Sequence, residues 1–290
     1  MLSAASPNVP APLRIGSRTV ISGPASRIAS RIASLIGAAI PPDPRPVSII
    51  TVAADGLFWV RLLVERIRAT IGARPYEIIV VDRLSRDGTR TWLRAQPDVR
   101  MLTRPHWPWH RGHRHGEAAE AATRRARYDH IVLLDSDAHP VRPDWLETSV
   151  DRLDDHTRLA GAVFRDKHRG NPHGWYIHPH FMAFRKADLD GLVILRKRLG
   201  DDTDTAEEAT MRVLAAGHAI VGHPIEFCPE LQVGHDRVPT IAGGVFHAWY
   251  VSRLIRNEPE VVRETEGKIT RATYLDPLMT RLRTHYALDD

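Results

Sequence analysis

Short apolar segments that alternate with helical segments restrict this chain to few folds. Residues 47–52, 77–82 and 130–135 are three such apolar runs, rich in Val, Ile and Leu. Runs of this kind are typical of strands buried on both faces. Helical spacing over 57–71 and an alanine-rich stretch over 116–127 lie between them. Because alternating strands and helices are typical of parallel sheets, the sequence predicts an α/β fold with a mostly parallel central sheet flanked by helices.

Acidic residues stand where two of these strands end. Asp82 ends one run, and Asp135-Ser136-Asp137 ends another. Ligands bind at the carboxyl ends of the strands in such sheets. Two carboxylates that flank one residue can converge on a hard cation such as Mg²⁺ or Mn²⁺, which would neutralise charge on a diphosphate leaving group. The same tripeptide also fits a simple turn, so both interpretations stay open.

The rest of the chain is less regular. The pattern predicts a short helix over 87–95, strands over 99–103, 159–164 and 180–185, and helices over 205–216, 243–256 and 273–286. Gly217 is placed to end the helix over 205–216. Two clusters of His and aromatic residues, over 106–115 and 175–181, fit either a lid and an acceptor surface or partly buried loop anchors.

Composition narrows the partners and the compartment. The net charge of +5 and the pI of about 9.6 favour anionic ligands such as nucleotides. The basic residues are scattered, so we expect no nucleic acid partner. A single cysteine, Cys228, excludes an intrachain disulfide and favours a reducing, cytoplasmic location. No segment has the ~18 consecutive apolar residues of a membrane span, and the N-terminus does not resemble a secretory signal.

Several motifs in order resemble glycosyltransferase family 2, whose members have the GT-A fold. The stretch 80–89 resembles the end of that family's second strand, although Arg83 replaces its second acid. Arg111-Gly112 and the stretch 116–122 match the family's glycine-bearing loop and the small-residue helix that follows it. The strand ending in Asp135-Ser136-Asp137 matches its DxD motif, and Pro143-Asp144-Trp145-Leu146 matches the start of the next helix.

This resemblance implies an inverting, divalent-metal-dependent hexosyltransferase. It would move a sugar from a UDP-, GDP- or dTDP-linked donor to the hydroxyl of a glycan, lipid, peptide or natural product, with Mn²⁺ or Mg²⁺ as cofactor. Donor contacts are implied for Thr51, Val52, Ala53, Asp82, Arg111, Asp135 and Ser136. The metal ligands would be Asp135, Asp137 and His235, which ends a stretch resembling a strand over 229–235.

The catalytic base is implied to lie in the acidic segment 201–208. An inverting displacement must take a proton from the acceptor hydroxyl, and Asp204 is the best-placed carboxylate, with Asp202 and Glu207 as alternatives. The same segment also fits a capping-box-like pair, in which Asp204 is the helix N-cap and Glu207 follows three residues later. Asp204 can be both the N-cap and the base. A catalytically weak binding subunit with this fold and a nucleotidyltransferase remain the alternative functions.

Four parts follow along the chain. Residues 1–46 form a Pro/Ala-rich extension with an amphipathic helix over 25–40. This helix either packs on the main domain or makes peripheral membrane contact, and both interpretations stay open. We expect residues 47–147 to bind the nucleotide sugar, residues 148–240 to bind the acceptor, and residues 241–290 to form a helical extension.

Overall fold

A computed structural model gives the fold of the chain. It describes residues 20–21, 44–103, 114–165, 171–195, 204–233, 238–256, 265 and 267–288. The expected helix over 25–40 lies outside the described residues, as do Arg111, Asp202 and His235. Within the described residues, no helix is long and apolar enough to cross a membrane.

Most of the described strands belong to one central sheet. Its strands are β1 (Val20–Ile21), β2 (Val47–Ala53), β3 (Tyr76–Asp82), β4 (Val99–Thr103), β5 (His130–Leu134), β7 (Thr157–Phe164), β8 (Tyr176–Arg185) and β9 (Ala219–Pro224). Among the described residues the strand order is β1-β9-β7-β8-β5-β2-β3-β4. A smaller sheet has the order β10-β11-β12-β6, from β6 (Ala138–Pro140), β10 (Glu226–Phe227), β11 (Thr240–Ala242) and β12 (Val245–His247).

The pairing within the central sheet is mostly parallel, as the sequence predicts. β2 runs parallel to both β3 and β5, and β3 runs parallel to β4. β8 is antiparallel to its neighbours β5 and β7, whereas β7 and β9 are parallel. Strands from before and after residue 147 therefore share one sheet, and the carboxyl ends of β2, β3 and β5 lie at the same edge.

Helices cover both faces of the central sheet, and further helices late in the chain pack against the smaller sheet. They are α1 (Leu57–Thr70), α2 (Thr89–Arg94), α3 (Arg114–Arg125), α4 (Glu207–Ala215), α5 (Val251–Ile255) and α6 (Asp276–Tyr286), which follows a π-helical turn over Arg271–Leu275. Shorter 3₁₀ segments span Val150–Arg152, Lys186–Asp188 and Pro229–Leu231.

Adjacent strand residues join different hydrophobic clusters. Ile49 packs in the cluster that contains α1, while Ile50 packs in the cluster that contains α3 and α4. Side chains alternate between the faces of a sheet, so a strand covered on both faces needs apolar residues at every position. A third cluster packs the C-terminal helices against β12, around Phe246, Tyr274 and Leu278.

Three predictions of local structure are wrong. Residues 243–256 are not one helix: the strand Val245–His247 comes first, and only Val251–Ile255 is helical. Pro229–Leu231 is a 3₁₀ segment within the stretch 229–233, where a strand was expected. Residues 143–149 form turns before the 3₁₀ segment Val150–Arg152 instead of starting an α-helix.

Gly161 lets β7 approach β8 closely. It has a φ of 149°, and a Cβ built on it would lie 2.1 Å from the carbonyl oxygen of Phe181. The register between the two strands also shifts between Gly161 and Val163. The close approach therefore needs a residue without a side chain.

We expect Gly161→Ala to destabilise the fold by about 1–3 kcal/mol, since backbone must move to admit the methyl group. Gly191→Ala is the matched control: Gly191 is exposed, and its Cβ would lie 3.9 Å from the carbonyl oxygen of Asp188. Urea unfolding followed by circular dichroism measures both free energies. Equal stability of the two variants would show that β7 and β8 can separate at little cost.

Candidate metal and donor site

The end of β5 delivers two carboxylates to the edge of the sheet. β5 is buried from Ile131 to Leu134, and the chain turns immediately after it, where the N–H of Ala138 donates to the carbonyl of Asp135 at 3.0 Å. The turn places Asp135 and Asp137 at the carboxyl end of a strand, as expected. Ser136 lies between them and is half-buried.

A histidine that the sequence analysis did not select completes this group. β6 begins directly after Asp137 and pairs antiparallel with β12, so that His247 lies opposite Ala138. The N–H of Ala248 also donates to the carbonyl of Asp137 at 3.1 Å. This pairing brings the His247 side chain onto the two carboxylates.

The hairpin that carries His247 has a recognisable sequence signal. Gly243 and Gly244 join β11 to β12 with φ values of 55° and 83°. Both values lie in the left-handed region that a two-residue turn of this kind requires, which is why glycine is favoured there. A Gly-Gly pair between two apolar runs is a hairpin signature. The prediction of one helix over 243–256 overlooked this hairpin signature.

Asp135, Asp137 and His247 can converge on one cation. Each offers a ligand atom, and these atoms all lie within 4.8 Å of one another. The Nε2 of His247 is 3.4 Å from Oδ1 of Asp137 and 3.8 Å from Oδ2 of Asp135. Oδ1 of Asp135 is buried and accepts no hydrogen bond from the described residues. Nε2 of His115 lies 3.6 Å from this oxygen, beyond hydrogen-bond distance. Because a buried carboxylate oxygen without a hydrogen bond is costly, the group fits a divalent cation.

Electrostatics keep Asp137 in its charged form. Burial alone would raise the pKa of Asp137, but the charge and hydrogen bond of His247, together with backbone N–H groups, hold that pKa below its ordinary value. Burial lowers the pKa of the neighbouring His178 to about 4, against the opposing effect of Asp135 and Asp204. Asp137 is therefore ionised and His178 neutral near pH 7.

Ring contacts hold His247 in place. The His180 ring stacks on it with centroids 4.3 Å apart and an interplanar angle of 15°. The Trp249 ring lies 4.3 Å from the same imidazole, and its Nε1 donates to Thr240 Oγ1 at 2.7 Å. The hydroxyl of Tyr274 donates to the carbonyl of Ala248, between the two ring-bearing residues. The C-terminal segment thus braces the strand that carries the histidine.

Asp204 is joined to this group through aromatic side chains. The hydroxyl of Tyr176 donates to Oδ2 of Asp204 at 2.8 Å, and Nε2 of His178 lies 4.0 Å from the same oxygen. The Nδ1 atoms of His178 and His180 are 2.8 Å apart, and His180 stacks on His247. A chain of contacts therefore runs from Asp204 to the candidate metal ligands.

Asp204 and Glu207 differ in exposure and in hydrogen bonding. The Asp204 side chain is 36% exposed, whereas Glu207 is fully buried. Glu207 accepts from the N–H of Asp204 at 2.6 Å and from Nδ2 of Asn171 at 2.7 Å. Asp204 is not the N-cap that the sequence suggested: α4 begins after Ala206, and Asp204 Oδ1 accepts from the N–H of Thr205. Only the Glu207 half of the expected capping box forms.

The acidic motif after β3 organises two neighbouring loops. Asp82 is fully buried, accepts from the N–H groups of Leu84 and Ser85 at 3.1 and 3.2 Å, and lies 3.2 Å from Nε of Arg90. The hydroxyl of Ser85 accepts from the N–H of Asp55 at 2.8 Å. Asp87 accepts from the N–H of Leu57 at 2.8 Å, at the start of α1. These bonds fix the loops after β2 and β3 to each other.

The remaining expected donor residues lie at the end of β2. Thr51 and Ala53 are buried, and Val52 is half-buried. Val52 pairs with Val81, and Ala53 with Asp82, in the parallel register of β2 and β3. Oγ1 of Thr51 is buried and has no hydrogen-bond partner among the described residues. Both strands therefore end together, next to the end of β5.

Comparison with protein families decides the relationship. Residues 48–212, more than half of the chain, match the model of glycosyl transferase family 2. The chain belongs to this family. The central sheet, its flanking helices and the aspartates after β5 agree with the GT-A fold expected of a family 2 member. A search of curated proteins found no match.

The chain is also similar to solved structures, including the following three. A mannosyltransferase from Pyrobaculum calidifontis, in complex with GDP-Man and Mn²⁺, is 21% identical over 68% of this chain, with a TM-score of 0.47; this chain spans 61% of its length. Glucosyl-3-phosphoglycerate synthase from Mycobacterium tuberculosis, with UDP, is 19% identical over 62% of this chain and 70% of its own, with a TM-score of 0.48. S. aureus TarS is 17% identical over 61% of this chain and 57% of its own, with a TM-score of 0.41.

We expect Asp137→Asn and His247→Gln each to weaken Mn²⁺ binding by about tenfold or more, because each removes a ligand atom but little volume. Asp155→Asn is the matched control, since its carboxylate is 92% exposed and lies outside the group. Titration of Mn²⁺ followed by electron paramagnetic resonance, with and without UDP, gives the affinities. Unchanged affinity in both site variants would refute the metal assignment.

Proposed function

We propose that this chain is a divalent-metal-dependent glycosyltransferase that moves a sugar from a nucleotide-diphosphate donor to an acceptor hydroxyl with inversion. The observation that carries the proposal is the convergence of Asp135, Asp137 and His247 at the carboxyl end of β5 in a family 2 chain. Mn²⁺ or Mg²⁺ held there would offset the charge that develops on the diphosphate as the sugar leaves. The carboxylate oxygens of the two aspartates suit either ion.

The donor is assigned to the edge formed by β2, β3 and β5. Thr51, Val52 and Ala53 end one of these strands, and Asp82 ends its neighbour. In this proposal residues 47–147 bind the nucleotide and residues 148–240 bind the acceptor. For Asp82 to contact the nucleoside, neighbouring groups must move, since its carboxylate is fully buried beside two N–H groups and Arg90.

Asp204 is proposed as the catalytic base. The acceptor oxygen attacks the reacting carbon of the donor sugar, a new carbon–oxygen bond forms, and the sugar–phosphate bond breaks with its electron pair going to the diphosphate. The Asp204 carboxylate takes the hydroxyl proton. Its partial exposure favours it over Glu207, which is fully buried and already accepts two hydrogen bonds. Asp202 stays an alternative outside the described residues.

The direct test of this proposal is donor use. UDP-, GDP- and dTDP-linked sugars are incubated with the full chain and Mn²⁺, after a thermal-shift screen of the free diphosphates with and without the metal. We expect a metal-dependent rise in melting temperature with one diphosphate and Mn²⁺-dependent release of that diphosphate from its sugar. Binding without any turnover would instead support the alternative of a catalytically weak binding subunit. The product's anomeric configuration, read by proton NMR, tests inversion.

We expect Asp204→Asn to lower the transfer rate by ~10²- to 10⁴-fold with donor affinity nearly unchanged, because asparagine keeps the shape but not the basicity of aspartate. Tyr176→Phe is the matched control: it removes the hydroxyl that donates to Asp204 and leaves the carboxylate. Single-turnover rates and donor affinities are compared for both variants. An equal loss in the two variants would mean that the Asp204 carboxylate acts only through its hydrogen bond to Tyr176.

Two further variants locate the base if Asp204→Asn turns over normally. Loss of rate in Asp202→Asn or Glu207→Gln alone would place the base elsewhere in the same segment. If none of the three variants loses rate, the base is none of Asp202, Asp204 and Glu207.

A further inference from the structure

Four ring-bearing side chains form a continuous surface beside the proposed site. We call Phe164, Tyr176, His178 and Trp249 the aromatic wall. Phe164 contacts each of the other three, with ring centroids 5.7 Å from Tyr176, and 5.3 Å from both His178 and Trp249. The rings of His178 and Trp249 lie 5.4 Å apart. The wall is therefore one packed unit and not a set of separate contacts.

The aromatic wall connects the two polar parts of the site. At one end Trp249 lies against His247, a candidate metal ligand. At the other end Tyr176 donates its hydroxyl to Asp204, the proposed base. Because Asp204 is proposed to take the proton of the acceptor hydroxyl, that hydroxyl must come within hydrogen-bond reach of its carboxylate. A group that extends from Asp204 toward the candidate metal ligands lies along the wall.

The members of the aromatic wall differ in exposure. Tyr176 is fully buried, and only 12% of the His178 side chain is exposed, so these two rings serve mainly as support. Phe164 and Trp249 are only partly buried. Partly exposed aromatic rings beside a few convergent polar groups are typical of binding sites for small organic ligands.

The backbone at Trp249 supports a functional role for its ring. Trp249 and Tyr250 have φ values of 63° and 59°, in the left-handed region that bulky residues rarely adopt. Such strain persists only where the surrounding structure enforces it, and it concentrates at functional sites. Here the bond from Trp249 Nε1 to Thr240 and the bond from Tyr274 to the carbonyl of Ala248 hold the strained segment.

We propose that Phe164 and Trp249 bind the ring of a carbohydrate acceptor, so that the acceptor of the proposed transfer is a sugar hydroxyl. This inference rests on the proposed function. A pyranose has apolar C–H faces and a hydroxyl-bearing edge. Its face packs against the exposed rings of the aromatic wall, while a hydroxyl on its edge reaches the Asp204 carboxylate. A lipid chain or a flexible peptide matches only one of these two features.

Saturation-transfer NMR tests this inference on the full chain without any donor. Methyl glucopyranoside and methyl mannopyranoside are the probes, and glycerol is the hydroxyl-bearing probe without a ring. We expect transfer to the ring protons of at least one glycoside and none to glycerol. Phe164→Leu and Trp249→Leu should each weaken glycoside binding by about tenfold, whereas Phe164→Tyr, which keeps the ring, should bind nearly as the parent does.

Phe58→Leu is the matched control, because Phe58 is also a half-buried aromatic residue but its ring contacts are with Trp59 and Arg283, which are not members of the aromatic wall. Melting temperatures and Mn²⁺ affinities of all variants separate lost binding from lost folding or a displaced His247. Glycoside binding that is equal in the parent, Phe164→Leu and Trp249→Leu would overturn the inference, as would transfer to glycerol alone or to no probe.

Two outcomes separate this inference from the proposed function. If nucleotide-sugar affinity falls in Phe164→Leu while glycoside binding is unchanged, the rings contact the donor and the inference is overturned. If the parent binds glycosides through these rings but never releases a diphosphate from any donor, the proposed function fails while the carbohydrate site stands.

Discussion

The pairing of β6 with β12 is the constraint on which the candidate site depends. β6 continues directly from Asp137, and His247 lies opposite Ala138 in the antiparallel register. A shift of one residue would turn His247 to the other face of the small sheet, since side chains alternate along a strand. The Gly243-Gly244 turn fixes the register of β11 with β12. The N–H of Val141, directly after β6, donates to the carbonyl of Gly244 at 2.9 Å, and Tyr274 packs behind β12. The C-terminal helices therefore support the site although they contribute none of its candidate ligands.

The second constraint is the burial of the central sheet on both faces. Apolar residues at consecutive positions of β2, β3 and β5 bury these strands and bring their carboxyl ends to one edge. Asp82 and Asp87 are used to tie loops together, whereas Asp135 keeps one buried oxygen without a hydrogen bond among the described residues. This difference separates the carboxylates that shape the site from those available to a cation.

Much of the first half could be predicted because its signals are local. The strands over Val47–Ala53, Tyr76–Asp82 and His130–Leu134 follow from runs of apolar residues, and the position of Asp135 and Asp137 follows from where the third run ends. The errors fall where local patterns are ambiguous. The stretch 243–256 contains apolar residues at helical spacing, but the Gly-Gly turn and the pairing of Val245–His247 with β6 make a strand there.

The sequence by itself determined the α/β class, the family resemblance and the two aspartates, since each depends on residues close together along the chain. Tertiary structure alone decided that His247 joins Asp135 and Asp137, which are more than a hundred residues earlier. It also decided that Asp204 bonds to Tyr176 instead of capping α4, and that Phe164 meets Trp249. These contacts depend on strand register and on burial against distant segments, and no local pattern of residues encodes either of them.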